Sequence, residues 1–290
     1  MAPASATQPD RVAPSVRFEN VSKEYPARTG APTVAVNDFS LDVEPGRITV
    51  LVGSSGSGKT TLLRCVNRMV NPTSGRVLID GDDVAALEAV GLRRRIGYVM
   101  QESGLLPHRK VIDNVGTVPA LNRTPRQEVH QRANELMDMV GLDRSLGDRY
   151  PSELSGGQRQ RVGVARALAA SPRLLLMDEP FGAVDPIVRA DLQQELRALQ
   201  RQLGATILFV THDTSEALSL GDHIVILASQ GRIAQQGTGA QLVAHPADDF
   251  VASFLGLNAD RGLRLAQVNG ISLVVDAEGR PVGRLDGSAP

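Results

Sequence analysis

The stretch RITVLVGSSGSGKTTLLRCVNRM, Arg47 to Met69, decides how the rest of the chain is read. An apolar run, ITVLV, runs straight into a glycine-rich turn, and the turn opens on a helical pattern. The turn itself, Gly53, Ser54, Ser55, Gly56, Ser57, Gly58, Lys59 and Thr60, satisfies the phosphate-loop pattern G-x-x-x-x-G-K-[ST] in the strand-to-helix context that the pattern requires. Glycines let the backbone curl so that successive N–H groups point at phosphate oxygens. The helix dipole adds about half a positive charge at the same spot. Lys59 is then placed to reach the β- and γ-phosphates, and Thr60 to ligate Mg²⁺.

Outward from this unit the chain alternates strands with helices. VRFENVSKEY and VNDFSLDVEPGRITVLVG alternate apolar and polar residues, which reads as several strands on one sheet. GRVLIDGDDV and RRRIGYVMQ read as further strands, although the run Arg93 to Arg95 by itself reads as a solvated helix end. The segment from about 101 to 161 is mostly helical, with RQEVHQRANELMDMVGL its clearest amphipathic piece. Strands return in RLLLMDEP, ATILFVTH and HIVILASQGRIAQQG. This alternation predicts an α/β fold with a mostly parallel sheet and a helical insertion.

Composition removes several function classes. With 31 basic against 32 acidic residues, the net charge of −1 gives no global basic footprint for a nucleic-acid partner. Apolar runs such as LLLM and IVILA fall well short of the roughly 20 residues that span a bilayer. The single cysteine, Cys65, rules out an internal disulfide framework and reads as a small buried hydrophobe. Residues 1–14 carry no secretory-signal pattern and are expected to be a disordered tail in the cytoplasm.

Two further stretches carry chemistry. LLLMDEP ends a buried strand on two acids, Asp178 to hold a metal and Glu179 to take a proton from an attacking water. Seen alone, two such acids are as often a solvated rim. LSGGQRQRVGVARAL starts a helix on Ser155, Gly156 and Gly157, leaving backbone N–H groups bare, so this helix start is a second anion site. Spacing does not say whether both sites touch one nucleotide.

GSSGSGKT, LSGGQRQ and LLLMDEP, in this order and spacing, resemble the ATP-binding subunit of an ABC transporter over residues 15–238. The resemblance implies a phosphate-loop ATPase core with an N-terminal antiparallel β part and an inserted helical subdomain at about residues 102–165. It implies ATP and Mg²⁺ as cofactors, and two sites joined across a head-to-tail dimer in which the signature of one subunit closes on ATP held by the other. Thr61 and Gln158 join the nucleotide-binding set through it. Tyr25 resembles the aromatic that stacks on adenine, with a core tyrosine as the alternative. Gln101 resembles the glutamine that senses Mg²⁺ and the attacking water. Asp185 resembles the aspartate that couples the two sites, and His212 the histidine that contacts the γ-phosphate. The implied catalytic set is Glu179, His212, Lys59 and Gln101; the implied metal ligands are Thr60, Gln101 and Asp178.

Finer resemblance, in IGYVMQESGLLPHRKVIDNVGTVPALN and ADRGLRL among others, points to importers of glycine betaine, choline, carnitine or proline. An importer of a polar amino acid or other small solute, or a non-transport ABC switch protein, is the alternative. The expected partners are an identical or paired ATPase subunit, two membrane permease subunits and, indirectly, a solute-binding protein, with the chain on the cytoplasmic face of the cell membrane and no nucleic acid bound. Residues 239–290 are a short extension, too short for the pair of CBS modules that some relatives carry. SLVVDAEGRPVGRL within it reads as one hairpin.

Overall fold

A computed structural model describes residues 13–27, 31–257, 264–268, 271–276 and 278–285. The expected N-terminal tail lies outside the described residues except for Ala13 and Pro14. The chain divides into two compact units, Met1–Gly239 and Ala240–Pro290.

The first unit opens with β1 (Val16–Tyr25) and β2 (Thr33–Val43), an antiparallel ribbon that buries one face. Phe18 and Phe39 meet edge to face at 5.2 Å on that face. The chain then enters β3 (Ile48–Gly53), the phosphate loop and α1 (Lys59–Val66). Next come β4 (Ser74–Ile79), the two-residue β5 (Asp82–Asp83), α2 (Ala89–Arg95) and β6 (Ile96–Val99).

Two expectations are corrected here. The N-terminal strands do not share a sheet with β3. They form a four-stranded antiparallel sheet in the order β2-β1-β4-β5, while β3 sits inside the parallel sheet. The difference is written in burial: β1 and β2 alternate, whereas every residue of β3 is buried, as befits a strand covered on both faces. RRRIGYVMQ is strand only from Ile96, while the reading of Arg93 to Arg95 as a solvated helix end holds. Its three arginines are the exposed last turn of α2, where cations favour the helix C-terminus, and the strand begins at Ile96.

The helical insertion contains α3 (Val111–Val115), α4 (Thr117–Leu121), α5 (Arg126–Met139) and α6 (Gly156–Leu168). In α5 the buried residues Val129, Ala133, Leu136 and Met137 form one stripe. Asn114, fully buried, anchors the 105–110 loop: its Nδ2 donates to the carbonyls of Leu106, Arg109 and Lys110, and its Oδ1 accepts from Leu106 N–H. The chain returns through β7 (Leu174–Asp178), α7 (Pro186–Leu203), β8 (Thr206–Thr211), α8 (Thr214–Leu220), β9 (His223–Leu227) and β10 (Ile233–Gly237).

The central sheet runs β10-β9-β3-β8-β7-β6, parallel except for the edge strand β10. Between α1 and the sheet lies the core, in which Leu62, Leu63, Cys65 and Val66 are sealed from solvent. Burial pushes the Cys65 thiol up to about 11, so it behaves as a hydrophobe. Because β3, β6, β7 and β8 are parallel, the phosphate loop, Gln101, Asp178, Glu179 and His212 all follow carboxyl ends of strands on one edge of the sheet. That is where open α/β sheets bind ligands.

The second unit holds most of α9 (Gly239–Ala244), then α10 (Asp249–Phe254) capped by the Asp248 carboxylate. After it comes an antiparallel meander of β11 (Arg264–Val268), β12 (Ile271–Val275) and β13 (Pro281–Leu285). The hairpin expected at 272–285 is thus joined by a third strand. RLAQV is too short and mixed to announce that strand by alternation. Much of ADRGLRL lies outside the described residues.

Candidate functional site

The phosphate loop takes its shape from its glycines. Gly56 and Gly58 have φ of +80° and +94°, a region costly for any residue with a Cβ. At Gly58 a Cβ would also lie 2.7 Å from the Ala35 carbonyl, and at Gly53 one would lie 2.4 Å from that of Leu227. Lys59 folds back over the loop, donating to the carbonyls of Gly53 at 2.6 Å and Ser54 at 2.8 Å, and to Ser57 Oγ at 3.3 Å. Burial pulls the Lys59 ammonium below its usual range, partly offset by the carboxylates of Glu179 and Asp178. No side chain caps α1, so its first N–H groups stay open to an anion.

Thr60 donates from Oγ1 to Asp178 Oδ1 at 2.8 Å. Asp178 is fully buried, and its Oδ2 has no hydrogen-bond partner. Burial raises its carboxyl above the usual range, against the opposing pull of the Thr60 hydroxyl and the Arg64 and Lys59 cations. A buried carboxylate oxygen left without a partner, next to a hydroxyl, suits a divalent cation that completes its shell with phosphate oxygens and water.

Glu179 is the most constrained residue of the site. Its φ of +46° places a non-glycine residue in the left-handed region. Its N–H donates to the Val210 carbonyl at 2.9 Å, which ties it to β8. One carboxylate oxygen lies 3.0 Å from His212 Nδ1, and the other accepts from Gln101 Nε2 at 3.4 Å. So Gln101, Glu179 and His212, separated in sequence, meet at one carboxylate, beside the Thr60–Asp178 pair. A carboxylate so held can take a proton from water.

The remaining predicted residues lie around this centre. Tyr25 Oη is 3.5 Å from Thr61 Oγ1, and the Tyr25 ring, partly exposed, lies under Lys23 Nζ at 5.2 Å. An exposed ring face suits stacking more than core filling. Ser155 and Gln158 form a capping box: Ser155 Oγ accepts from Gln158 N–H at 3.2 Å, and Gln158 Oε1 from Ser155 N–H at 2.9 Å. A Cβ on Gly156 would meet nothing nearer than 3.9 Å, and one on Gly157 would meet the Ala183 carbonyl at 3.1 Å. The neighbours of both are Ala183, Val184 and Arg159, not the phosphate loop. Asp185 caps α7, accepting from Ile187 N–H at 3.0 Å. Two side chains escaped the sequence reading. Gln160 reaches from α6 to the backbone after Asp178, and Arg189 ties Val184 to Asp213 and Glu216. Gln160 ends the LSGGQRQ stretch and Arg189 lies in no motif, but the role of an amide or a cation on a helix is recognisable only through what it touches.

A family model described as ABC transporter matches residues 36–182. The chain is 46% identical over 268 residues to the glycine betaine uptake system ATP-binding protein YehX of Escherichia coli, a match covering 92% of this chain and 85% of that one. It is 48% identical over 241 residues to the glycine betaine/carnitine/choline transport ATP-binding protein OpuCA of Bacillus subtilis, covering 83% of this chain and 62% of that one. The chain thus spans about three fifths of the latter relative's length. It is also 43% identical over 267 residues to the sulfate/thiosulfate import ATP-binding protein CysA of Thermosynechococcus vestitus, covering 92% and 77%. Among solved structures, the dimeric post-hydrolysis state of the ATP-binding cassette MJ0796 bound to ADP and Pi superposes with a TM-score of 0.71 at 32% identity, covering 77% of this chain and 98% of that one. With its phosphate loop, its signature helix and its paired strand-end acids, the chain belongs to the ABC transporter family as one of its ATP-binding proteins.

Proposed function

We propose that this chain is the ATP-hydrolysing subunit of a bacterial importer of osmoprotectants such as glycine betaine, choline, carnitine or proline. The observation that carries the ATPase reading is the Glu179 carboxylate, held between His212 and Gln101 beside the Thr60–Asp178 pair. In this reading the phosphate loop cradles the phosphates, Lys59 neutralises the β- and γ-oxygens, and Tyr25 stacks on adenine. Thr60, Asp178 and Gln101 would hold Mg²⁺, which supplies charge neutralisation on the phosphate oxygens when bound. Glu179 takes the proton of the attacking water, and His212 and Gln101 keep its carboxylate aimed.

The signature glycines Gly156 and Gly157 lie against Ala183 and Val184, and the MJ0796 cassette is described as dimeric. Both support two chains meeting head to tail, each signature closing on ATP held by the other. Two permease subunits and a solute-binding protein complete the importer, with this chain on the cytoplasmic face of the membrane. Among the described residues no helix is long and apolar enough to cross a membrane, so translocation is left to those partners. The osmoprotectant reading rests on relatives such as YehX and OpuCA. The CysA match is the observation that favours a different small solute.

Glu179→Gln is expected to retain ATP binding and to lose turnover. Wild-type turnover in that variant would remove Glu179 from the chemistry. Uptake of labelled glycine betaine at high osmolarity, in cells lacking this chain, is expected to return with the native protein and not with Glu179→Gln. Uptake of sulfate restored in its place would assign the solute differently.

A further inference from the structure

We propose that Gln160 is a positioning residue for Glu179, and that it joins the helix bearing the signature to the hydrolytic carboxylate of the same chain. Gln160 lies on the second turn of α6 and is 4% exposed. Both ends of its amide are spent on one short turn. Nε2 donates to the Glu179 carbonyl at 2.6 Å, and Oε1 accepts from Ala183 N–H at 2.8 Å. The turn between these contacts, Glu179 to Ala183, also closes on itself through Gly182 N–H donating to the Glu179 carbonyl at 3.2 Å.

Glu179 needs such a clamp. A glutamate at φ +46° is off its preferred backbone and persists when its surroundings over-determine it. Its N–H is fixed by Val210 on β8, and its carbonyl by Gln160 on α6. The peptide units on either side of the Glu179 Cα are therefore held from two different elements, and the direction of its side chain follows from them.

Only an amide of this length serves both legs. Methionine fills the volume and makes neither bond. Glutamate keeps the acceptor for Ala183 but loses the donor to Glu179. The same helix meets the same turn at a second point, since Gly157 leaves just enough room for the Ala183 carbonyl. Under the proposed function, on which this inference rests, the start of α6 closes on ATP held by the partner chain. A shift of α6 on closure would then reach the chain's own Glu179 through one side chain, linking the two composite sites.

The test compares full-length native protein with Gln160→Met and Gln160→Glu, alone and in the Glu179→Gln background. Steady-state kcat and KM for ATP, single-turnover rates with labelled ATP, binding of a fluorescent ATP analogue and melting temperature are measured on each. Misplacing a reacting group by about 1 Å costs about 100-fold in rate. Gln160→Met and Gln160→Glu are therefore expected to lose about 10- to 100-fold in kcat, with KM and analogue affinity within about threefold of native. In the Glu179→Gln background the same changes are expected to have no further effect on the residual single-turnover rate.

A kcat within twofold of native in Gln160→Glu would overturn the proposal. So would an equal loss in both backgrounds, since a merely structural role acts regardless of residue 179. If Gln160→Met does not fold, Gln160→Glu, which keeps one of the two bonds, decides. Failure of the parent reading looks different: Glu179→Gln itself would then retain native turnover.

Discussion

Gly156, Gly157 and Gly58 lie in segments predicted to bind phosphate, yet their surroundings demand different things of a side chain. Gly58 combines φ +94° with the Ala35 carbonyl 2.7 Å from where a Cβ would be, so Gly58→Ala is strained twice. It is expected to lower the melting temperature and abolish binding of a fluorescent ATP analogue, at a folding cost of about 2 kcal/mol or more. Gly156 meets nothing nearer than 3.9 Å and has ordinary helical φ, so Gly156→Ala should fold as well as native. Helix propensity even favours the alanine by up to about 1 kcal/mol. If the bare helix start exists to approach a partner's phosphate, Gly156→Ala should nonetheless lose ATPase activity by about tenfold or more. Calorimetry and phosphate release on the same preparation separate the two effects.

Among the elements, α7 organises the ground beside the site. It begins with Asp185 as cap and Pro186 in its first turn, and ends on Gly204 in the left-handed region. Asp185→Ala is expected to cost about 1 kcal/mol by thermal unfolding, while Asp185→Asn, which keeps the cap, should not. Loss of ATPase activity in the asparagine variant would then report the charge of Asp185, as expected if it acts across the dimer. One turn on, Arg189 donates to the Val184 carbonyl at 3.2 Å and approaches Asp213 at 3.4 Å and Glu216 at 3.7 Å. Glu216 is buried and accepts from Thr211 Oγ1 at 2.7 Å. Burial raises its carboxyl above 4.5, against the pull of Thr211, Arg189 and His212 and with a small push from Asp213. A raised folded value means that its contribution to stability is fullest below 4.5 and is lost as pH rises through the folded value. Glu216→Gln removes that titration. The melting temperature of the variant relative to native should therefore climb as pH rises from 4.5 through the folded value. An unchanged difference across that range would show that Glu216 does not titrate there.

For the whole molecule, the site is complete in pieces and not in one place. The phosphate loop, Asp178 and Glu179 gather at the carboxyl edge of the parallel sheet. The signature start sits against Ala183 and Val184. Under the proposed function, two chains together would supply what one does not bring together. Glu179→Gln incubated with ATP is expected to elute as a dimer in size-exclusion chromatography and to revert to monomer when the nucleotide is removed. A monomer throughout would argue against sites shared between chains.

The sequence by itself determined the strand–loop–helix unit, the order of motifs and the parallel α/β class. Each of these depends on neighbours in the chain: glycine spacing, a mostly apolar strand ahead of a lysine and threonine, a helix start bare of bulky side chains. The tertiary structure decided what depends on distance. It separated β1 and β2 from the sheet that holds β3, because that choice is made by which faces are covered. It brought Gln101 and His212 to the Glu179 carboxylate across 78 and 33 residues of chain. It also supplied Gln160 and Arg189, whose amide and guanidinium gain meaning from the backbone carbonyls and carboxylates they reach. Alternation and spacing describe what lies next along the chain. Hydrogen bonds between elements are set by packing, and packing is not written in any local pattern.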